Sequence, residues 1–192
     1  MKTVSMSGSL RENVGKKDAR KVRLEGKVPC VLYGGTEQLH FSVPEKDFKN
    51  VIFTPEVCFI DLTIDGKEFK ASLKDVQYHP VTDNILHVDF LEIIEGKTII
   101  MSIPLVVTGS STGVLRGGKL IRKLRRIKVK GLPHLIPDNI TIDITDLDIG
   151  DSVKVSSLKS EGIEFLDSKN IELVAVKMTR AVEETPAEEA KK

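Results

Sequence analysis

The stretch RENVGKKDARKVRLEGKVPCVLYGG, residues 11–35, joins a short basic helix to an apolar strand and decides the fold of the first half of the chain. Its periodicity predicts a helix over residues 18–25, ended by Gly26. Residues 28–33 then form an apolar run closed by a Gly-Gly pair, which predicts a buried β-strand. Because no linker separates the two elements, the helix is expected to be fixed to a folded body.

The predicted helix carries positive charge along one side. Four cations fall within about 60° of one another at helical period, and they are Lys16, Arg20, Arg23 and Lys27. Residues 1–28 contain eight Lys and Arg against three acidic residues. A rigid group of cations suits a shaped anion, although a solvated helix face produces the same pattern, and both interpretations stay open at this point.

Composition limits the classes of protein to consider. With 192 residues and 40% hydrophobic content, the chain can form one large or two ordinary domains. Its formal net charge is only +1, so binding of a polyanion would depend on where the charges lie. No signal-peptide pattern opens the chain, and no run of about 18 apolar residues occurs. We therefore expect a cytoplasmic protein without membrane contact.

Short alternating segments predict a mainly β fold in residues 1–94. The clearest signal is a β-hairpin with a type I′ turn at Asp65-Gly66. A helix begun by Pro44 should follow the third strand. The predicted strands lie around residues 5–10, 28–33, 39–43, 60–64, 69–73 and 85–91. Six strands with two or three short helices favour a small β-barrel, because closure removes exposed sheet edges.

Residues 95–180 predict a second β-rich domain. Its strand candidates are 98–107, 125–130, 139–145 and 170–177, and no helix pattern competes with them. Residues 181–192 are rich in Glu and predict a disordered acidic tail.

Charge in the second domain is divided into two blocks. Residues 114–130 contain eight Lys and Arg without an acid, whereas residues 131–151 contain five Asp without a Lys or Arg. The blocks could lie side by side and neutralise each other in part. Alternatively, the first could face nucleic acid and the second a basic partner protein.

The residues do not favour an enzyme. The His and Asp residues offer no plausible metal set, the Gly-rich segments match no nucleotide-binding motif, and no cofactor is predicted. Cys30 and Cys58 each lie in an apolar run without a CxxC motif and are expected to be reduced core residues.

RNA binding accounts for the polar residues better than catalysis does. The period of the strand ILHVDFL, residues 85–91, sends Leu86, Val88 and Phe90 to one face and His87 and Asp89 to the other. Side chains on a barrel face can reach 2′-hydroxyls and base edges in the wide minor groove of A-form RNA. A carboxylate near phosphates suggests contact with a base amino group or orientation of the histidine. A simple hydrogen bond between the two side chains on a wet face is the equal alternative.

Three motifs identify a family. Residues 11–35, DVQYHP (75–80) and ILHVDF (85–90) resemble the bacterial large-subunit ribosomal protein twenty-five family, also called the general stress protein CTC family. The second half, from PLVVTGSSTGV to DIGDSV, resembles the C-terminal domain of the long, two-domain form. The resemblance implies a non-catalytic 5S rRNA-binding protein of the central protuberance. Its six-stranded barrel would be similar to the anticodon-binding barrel of glutaminyl-tRNA synthetase.

The resemblance also implies a set of RNA contacts and partners. Carried over position by position, the contacts are Arg11, Lys16, Arg20, Arg23, Tyr33, Gln77, His87 and Asp89. Two positions depart from the family pattern: Asp18, a carboxylate in the basic segment and a candidate N-cap, and Ala19, where a hydroxyl is common. The implied partners are the large ribosomal subunit, neighbouring central-protuberance proteins and 23S rRNA through the C-terminal domain, with a monomer off the ribosome. A stress-related protein-interaction module and a tRNA-binding barrel are the rival functions.

Overall fold

The computed structural model describes residues 2–158 and 162–179. These residues divide into two compact units, one formed by residues up to Met101 together with Leu132–His134, and the other by the remainder. The predicted boundary, at residues 94–96, falls shortly before this division. The acidic tail predicted for residues 181–192 lies outside the described residues.

Six strands of the first unit form a closed barrel, and the mainly β prediction is confirmed. In chain order they are β1 (Lys2–Leu10), β2 (Lys27–Tyr33), β3 (Leu39–Pro44), β4 (Cys58–Ile64), β5 (Lys67–Tyr78) and β6 (Ile85–Glu92). Around the barrel the order is β1-β3-β2-β6-β5-β4, and parallel pairing of β1 with β4 closes it. A second parallel pair joins β2 to β6.

Alternation of apolar residues along the strands builds the barrel core. Among its largest buried side chains are Phe41, Phe48 and Phe90, and the ring centroid of Phe90 lies 5.7 Å from that of Phe41 and 6.4 Å from that of Phe48. Between β4 and β5, Asp65 and Gly66 have φ angles of 46° and 83°. Two consecutive positive φ angles are those of a type I′ turn, as predicted.

The helix of the opening stretch, α1, spans Lys16–Leu24 and begins two residues earlier than predicted. Gly26 follows it with a φ angle of 72°, which a residue without a Cβ adopts readily. This conformation turns the chain into β2, so Lys27 is the first residue of a strand and not a member of the helical stripe. The prediction that the stripe includes Lys27 is therefore wrong.

The helix predicted after Pro44 is a 3₁₀ turn, Glu45–Phe48, that leads into α2, Lys49–Ile52. At the start of β6 the prediction needs a further correction, because Ile85 is buried while Leu86 is only half-buried. The pairing register of β5 with β6 shifts between Gln77 and Tyr78, opposite this point. The irregularity changes which of the first two side chains of β6 points into the core.

The second unit contains two small sheets. The strands are β7 (Ile99–Thr108, of which the first three residues belong to the first unit), β8 (Lys119–Arg122), β9 (Arg126–Gly131), β10 (Ile140–Asp143), β11 (Ser152–Lys154), β12 (Ile163–Phe165) and β13 (Glu172–Lys177). One sheet has the order β10-β7-β9-β12 and the other β11-β13-β8. The strands β8, β11 and β12 have only three or four residues and were not predicted, because so few residues show no clear alternation.

A short helix, α3, spans Thr112–Leu115 in the second unit, where no helix was predicted. The Ser111 hydroxyl caps it by accepting from the backbone N–H of Val114, and it donates to the Leu147 carbonyl at 2.6 Å. One turn of helix is too short for apolar periodicity to reveal it. Among the helices of the described residues, none has the length and apolarity needed to cross a lipid bilayer.

Candidate nucleic-acid interface

The outer faces of β2, β6 and β5 present a group of polar side chains. On β6, Val88 and Phe90 are fully buried, so the alternate residues His87 and Asp89 face outward. The Cα register places Gln77 of β5 opposite His87. The structure thus brings together on one surface three of the residues that the family resemblance implies as RNA contacts.

His87 and Asp89 are in direct contact. The Nδ1 atom of His87 lies 2.7 Å from Oδ1 of Asp89, with 25% and 32% of the two side chains exposed. A carboxylate that accepts from Nδ1–H fixes the orientation of the ring and leaves Nε2 as the second hydrogen-bonding atom. Two interpretations were considered from the sequence: Asp89 orients His87 for RNA contact, or the two side chains only bond each other. The observed geometry agrees with both.

A second carboxylate, Asp75, belongs to the same surface. It is exposed on β5 and is the Cα partner of Asp89 on β6. Like charges directly opposite each other on neighbouring strands are destabilising, so the pair is not explained by sheet stability. Asp75 was not among the predicted contacts, although its place two residues before Gln77 puts both residues on one strand face.

Tyr33 lies half-buried at the end of β2, and its neighbours affect its ionisation. Burial raises the pKa of the Tyr33 phenol above its usual value, and the charges of Asp89 and then Asp75 raise it further. Val31, two residues before Tyr33, is the Cα partner of Asp89, so Tyr33 and Asp89 are diagonal neighbours across the β2–β6 pair. The phenol therefore remains a neutral donor and acceptor at physiological pH.

The helix α1 lies beside this surface and is attached to it at its C-terminal end. Val22 is buried, whereas Lys16, Arg20 and Arg23 are exposed. The Nε–H of Arg23 donates to the Leu86 carbonyl of β6 at a distance of 2.9 Å. One cation of the predicted stripe is thus held by the residue that precedes His87.

Arg11 is placed differently from the other predicted contacts. Its side chain is only 9% exposed, and its Nε and Nη2 atoms lie 3.1 and 2.5 Å from Oδ2 of Asp18 in the first turn of α1. Asp18 is not the N-cap of α1, as was considered from the sequence. Gly15 occupies that position and provides no side-chain hydrogen bond. The carboxylate faces Arg11 instead, and Ala19 beside it is half-buried.

Two other titratable residues of the first unit, His79 and Cys30, have structural roles. Nδ1 of His79 accepts from the backbone N–H groups of Val81 and Thr82 and so stabilises the turn before β6. Burial raises the pKa of the Cys30 thiol, which keeps that residue in its unreactive form. Within residues 2–158 and 162–179, no group of three or more His, Cys, Asp or Glu side chains could hold a metal ion.

In the second unit the basic block is partly neutralised, by acids of the acidic block and by acids that follow it. Nη1 of Arg116 lies 2.6 Å from Oδ2 of Asp148, which joins the two blocks directly. Lys123 and Lys130 instead pair with Glu172 and Glu164, which follow the acidic block in the chain.

Several aspartates of the acidic block shape turns. Oδ1 of Asp143 accepts from the hydroxyl and backbone N–H of Thr145, and these bonds lower the pKa of the Asp143 carboxyl. A side-chain oxygen of Asp151 accepts from the backbone N–H of Asp148. These carboxylates have local partners in the structure.

Two family models match the chain in succession. The Ribosomal L25p family model matches residues 6–90, and the model for the C-terminal domain of ribosomal protein TL5 matches residues 98–180. Their order agrees with the resemblance of the two halves that the sequence motifs indicated.

Relatives named large ribosomal subunit protein bL25 match along most of the chain. The Phocaeicola vulgatus protein is 45% identical over 188 residues, covering 94% of this chain and 95% of the relative. The Bacteroides fragilis protein is 48% identical over 162 residues, covering 84% and 83%. The Cytophaga hutchinsonii protein is 41% identical over 192 residues, with 100% of both chains covered. The chain therefore belongs to the bL25 family of large ribosomal subunit proteins, a family of structural, non-enzymatic components, in its two-domain form.

Proposed function

We propose that this protein binds 5S rRNA at the central protuberance of the large ribosomal subunit, through α1 and the outer faces of β2, β6 and β5. The observation that carries the proposal is the hydrogen bond from Arg23 to Leu86, which fixes the cationic helix next to the His87–Asp89 pair. Phosphate-binding and base-reading groups are thereby held on one rigid surface, as recognition of a shaped RNA requires.

The cations of α1 supply affinity in this proposal. Lys16, Arg20 and Arg23 are exposed along the helix and would contact phosphates of a helical RNA segment. Such contacts do not depend on sequence and weaken as salt rises. With about four to six phosphate contacts, the slope of the logarithm of affinity against the logarithm of salt is on the order of −3 to −5.

The strand face supplies selectivity. Asp89, next to phosphate-binding cations, is favourable in a complex only if it accepts from a donor, and base amino groups and 2′-hydroxyls are donors that the minor groove offers. His87, oriented by Asp89, presents Nε2 to a base edge or a 2′-hydroxyl. Gln77 and Tyr33 lie on the same surface and add further donors and acceptors.

The second unit is proposed to contact neighbouring ribosomal RNA. On β9, Ile127 and Val129 are buried, while the alternate residues Arg126, Lys128 and Lys130 are exposed. Such a strand presents cations at a period of two, and these could approach RNA phosphates. Sedimentation with large subunits at rising salt tests this, because a Lys128→Glu variant should dissociate at lower salt than the wild type.

Filter binding of the full chain to 5S rRNA, with bulk tRNA as the control, tests the central proposal at two salt concentrations. Preference for 5S rRNA at both concentrations supports it. Equal binding of the two RNAs would leave only a non-specific anion site and contradict the proposal. A protein that stays free of large subunits under all growth conditions would favour a protein-interaction role instead.

A further inference from the structure

We propose that Arg11 is a positioning residue, which fastens the first turn of α1 to the barrel through Asp18 and leaves phosphate contact to the helix cations. As far as RNA binding is concerned, the inference rests on the proposed function. The clamp itself is a property of the free protein and can be tested without RNA.

Arg11 is hydrogen-bonded both to the barrel and to α1. Its backbone N–H, which directly follows β1, donates to the His40 carbonyl of β3 at 2.9 Å. Its guanidinium donates twice to Oδ2 of Asp18, at 3.1 and 2.5 Å, and Nη2 lies 3.5 Å from the Asn13 carbonyl. The residue therefore connects the barrel wall, the loop and the helix.

The helix needs such a connection. A helix of nine residues is marginal on its own, and α1 buries only Val22. Its N-cap, Gly15, offers no side-chain acceptor to the first turn. The C-terminal end is fixed by Arg23, so the contact of Arg11 with Asp18 is what holds the opposite end.

The same contact makes Arg11 a poor phosphate ligand. Two charge-assisted hydrogen bonds to one carboxylate oxygen occupy Nε and Nη2 of Arg11, and the side chain is only 9% exposed. A phosphate that bound Arg11 would have to displace Asp18 and then lie beside its negative charge. Lys16 and Arg20, on exposed positions of the same helix, meet no such obstacle.

The two roles predict opposite effects of removing Asp18. If Arg11 binds phosphate, Asp18→Ala frees it and strengthens RNA binding. If Arg11 positions α1, Asp18→Ala weakens binding by about fivefold to tenfold, although a negative charge has been removed near the RNA. Glu12→Ala is the matched control, because Glu12 is an exposed neighbouring acid and its loss changes the net charge equally.

The experiment combines two measurements on the full chain. Hydrogen exchange in the free protein should be faster for the α1 amides in Arg11→Ala and in Asp18→Asn, while the amides of β2 and β6 remain protected and confirm folding. The double exchange Arg11→Asp with Asp18→Arg should recover part of the protection and of the affinity for 5S rRNA. The salt slope should stay at the wild-type value in Arg11→Ala.

Unchanged α1 exchange in Arg11→Ala would overturn the inference. Binding by Asp18→Ala as tight as that of Glu12→Ala would overturn it as well, and so would a reduced salt slope in Arg11→Ala. If the wild type shows no preference for 5S rRNA, the proposed function fails, and the exchange data still decide whether the clamp exists.

Discussion

The Nδ1 atom of His87 lies 2.7 Å from Oδ1 of Asp89 on the outer face of β6, so the carboxylate sets the direction in which the imidazole presents Nε2. Replacing Asp89 by Ala removes both this orientation and, in the proposed complex, an acceptor for base amino groups. We expect the preference for 5S rRNA over tRNA to fall by about tenfold, the order expected for one lost base contact. Competitive filter binding of the two RNAs measures this ratio.

The salt slope of Asp89→Ala should match the wild type, because Asp89 contacts no phosphate in the proposed complex. His87→Ala is the companion variant and should lose selectivity to a similar extent, since the two side chains act as one unit. A variant that loses affinity equally for both RNAs would show that His87 and Asp89 stabilise the sheet and do not select the RNA.

Arg20→Ala should weaken binding to every RNA. Arg20 is exposed on α1 and is assigned to phosphate contact, so its removal is expected to reduce the magnitude of the salt slope by roughly one. The ratio of 5S rRNA to tRNA affinity should stay unchanged. Salt titrations of binding give both quantities.

Lys46→Ala is the matched control for Arg20→Ala. Lys46 is exposed on the 3₁₀ turn before α2 and belongs to no proposed contact, and its loss removes the same charge. Its salt slope should equal that of the wild type. An equal decrease in both variants would mean that net charge, and not the position of Arg20, determines affinity.

The ionisation of Tyr33 reports directly on the two carboxylates of the strand face. Burial is the main cause of its raised pKa, followed by Asp89 and then Asp75. We expect Asp89→Asn to lower the pKa of Tyr33 and Asp75→Asn to lower it by less, with the contribution of burial remaining in both. Tyrosinate absorbance measures this most simply in a Tyr78→Phe background, where Tyr33 is the only tyrosine.

The raised pKa of Tyr33 also makes the stability of the folded protein depend on pH. The folded state holds the Tyr33 proton more tightly than the unfolded state, so the contribution of this group is complete below the unfolded pKa. It is lost as the pH rises through the folded pKa. Denaturant unfolding above pH ~10 should therefore show a smaller alkaline loss of stability in Tyr33→Phe than in the wild type. An identical loss would show that Tyr33 is not perturbed.

Local periodicity explains why so much of the barrel could be predicted. Alternation around the Asp65-Gly66 turn, and the run before Gly34, specify strand faces within a few residues of sequence. The site depends on longer-range relationships. Asp75 meets Asp89 only through the register of β5 with β6, which shifts within the pair. That register is set by the whole sheet and cannot be derived from either strand alone.

The role of Asp18 illustrates the same limit on the helix side. Its position near the start of a basic helix suggested an N-cap, because capping preferences depend only on local sequence. Its partner, Arg11, lies before the loop and reaches it only when β1 and α1 are folded against each other. The second unit adds a simpler limit, since β8 and α3 have four residues each and contain too little pattern to recognise.

Gly113 of α3 is predicted to be necessary for the stability of the second unit. A Cβ built on Gly113 would lie 2.6 Å from both the carbonyl carbon of Asp148 and the backbone nitrogen of Ile149. Backbone atoms cannot move aside as a flexible side chain can, so Gly113→Ala must shift one segment against the other. Alanine favours a helix by about 1 kcal/mol over glycine, whereas overpacking costs about 1–3 kcal/mol.

Both close contacts of the added Cβ at Gly113 are with backbone atoms. We therefore expect the cost of overpacking to exceed the gain in helix propensity, so that Gly113→Ala lowers the free energy of unfolding by about 1–2 kcal/mol. Gly131→Ala is the matched control in the same unit, because its Cβ would meet neighbours at 3.4–3.6 Å, which is ordinary van der Waals contact. Urea unfolding followed by the amide signals of β9 and β13 measures both variants. Destabilisation of Gly131→Ala to the same extent would show that any added methyl group disturbs this unit, whereas a stable Gly113→Ala would mean that the two segments can separate without loss.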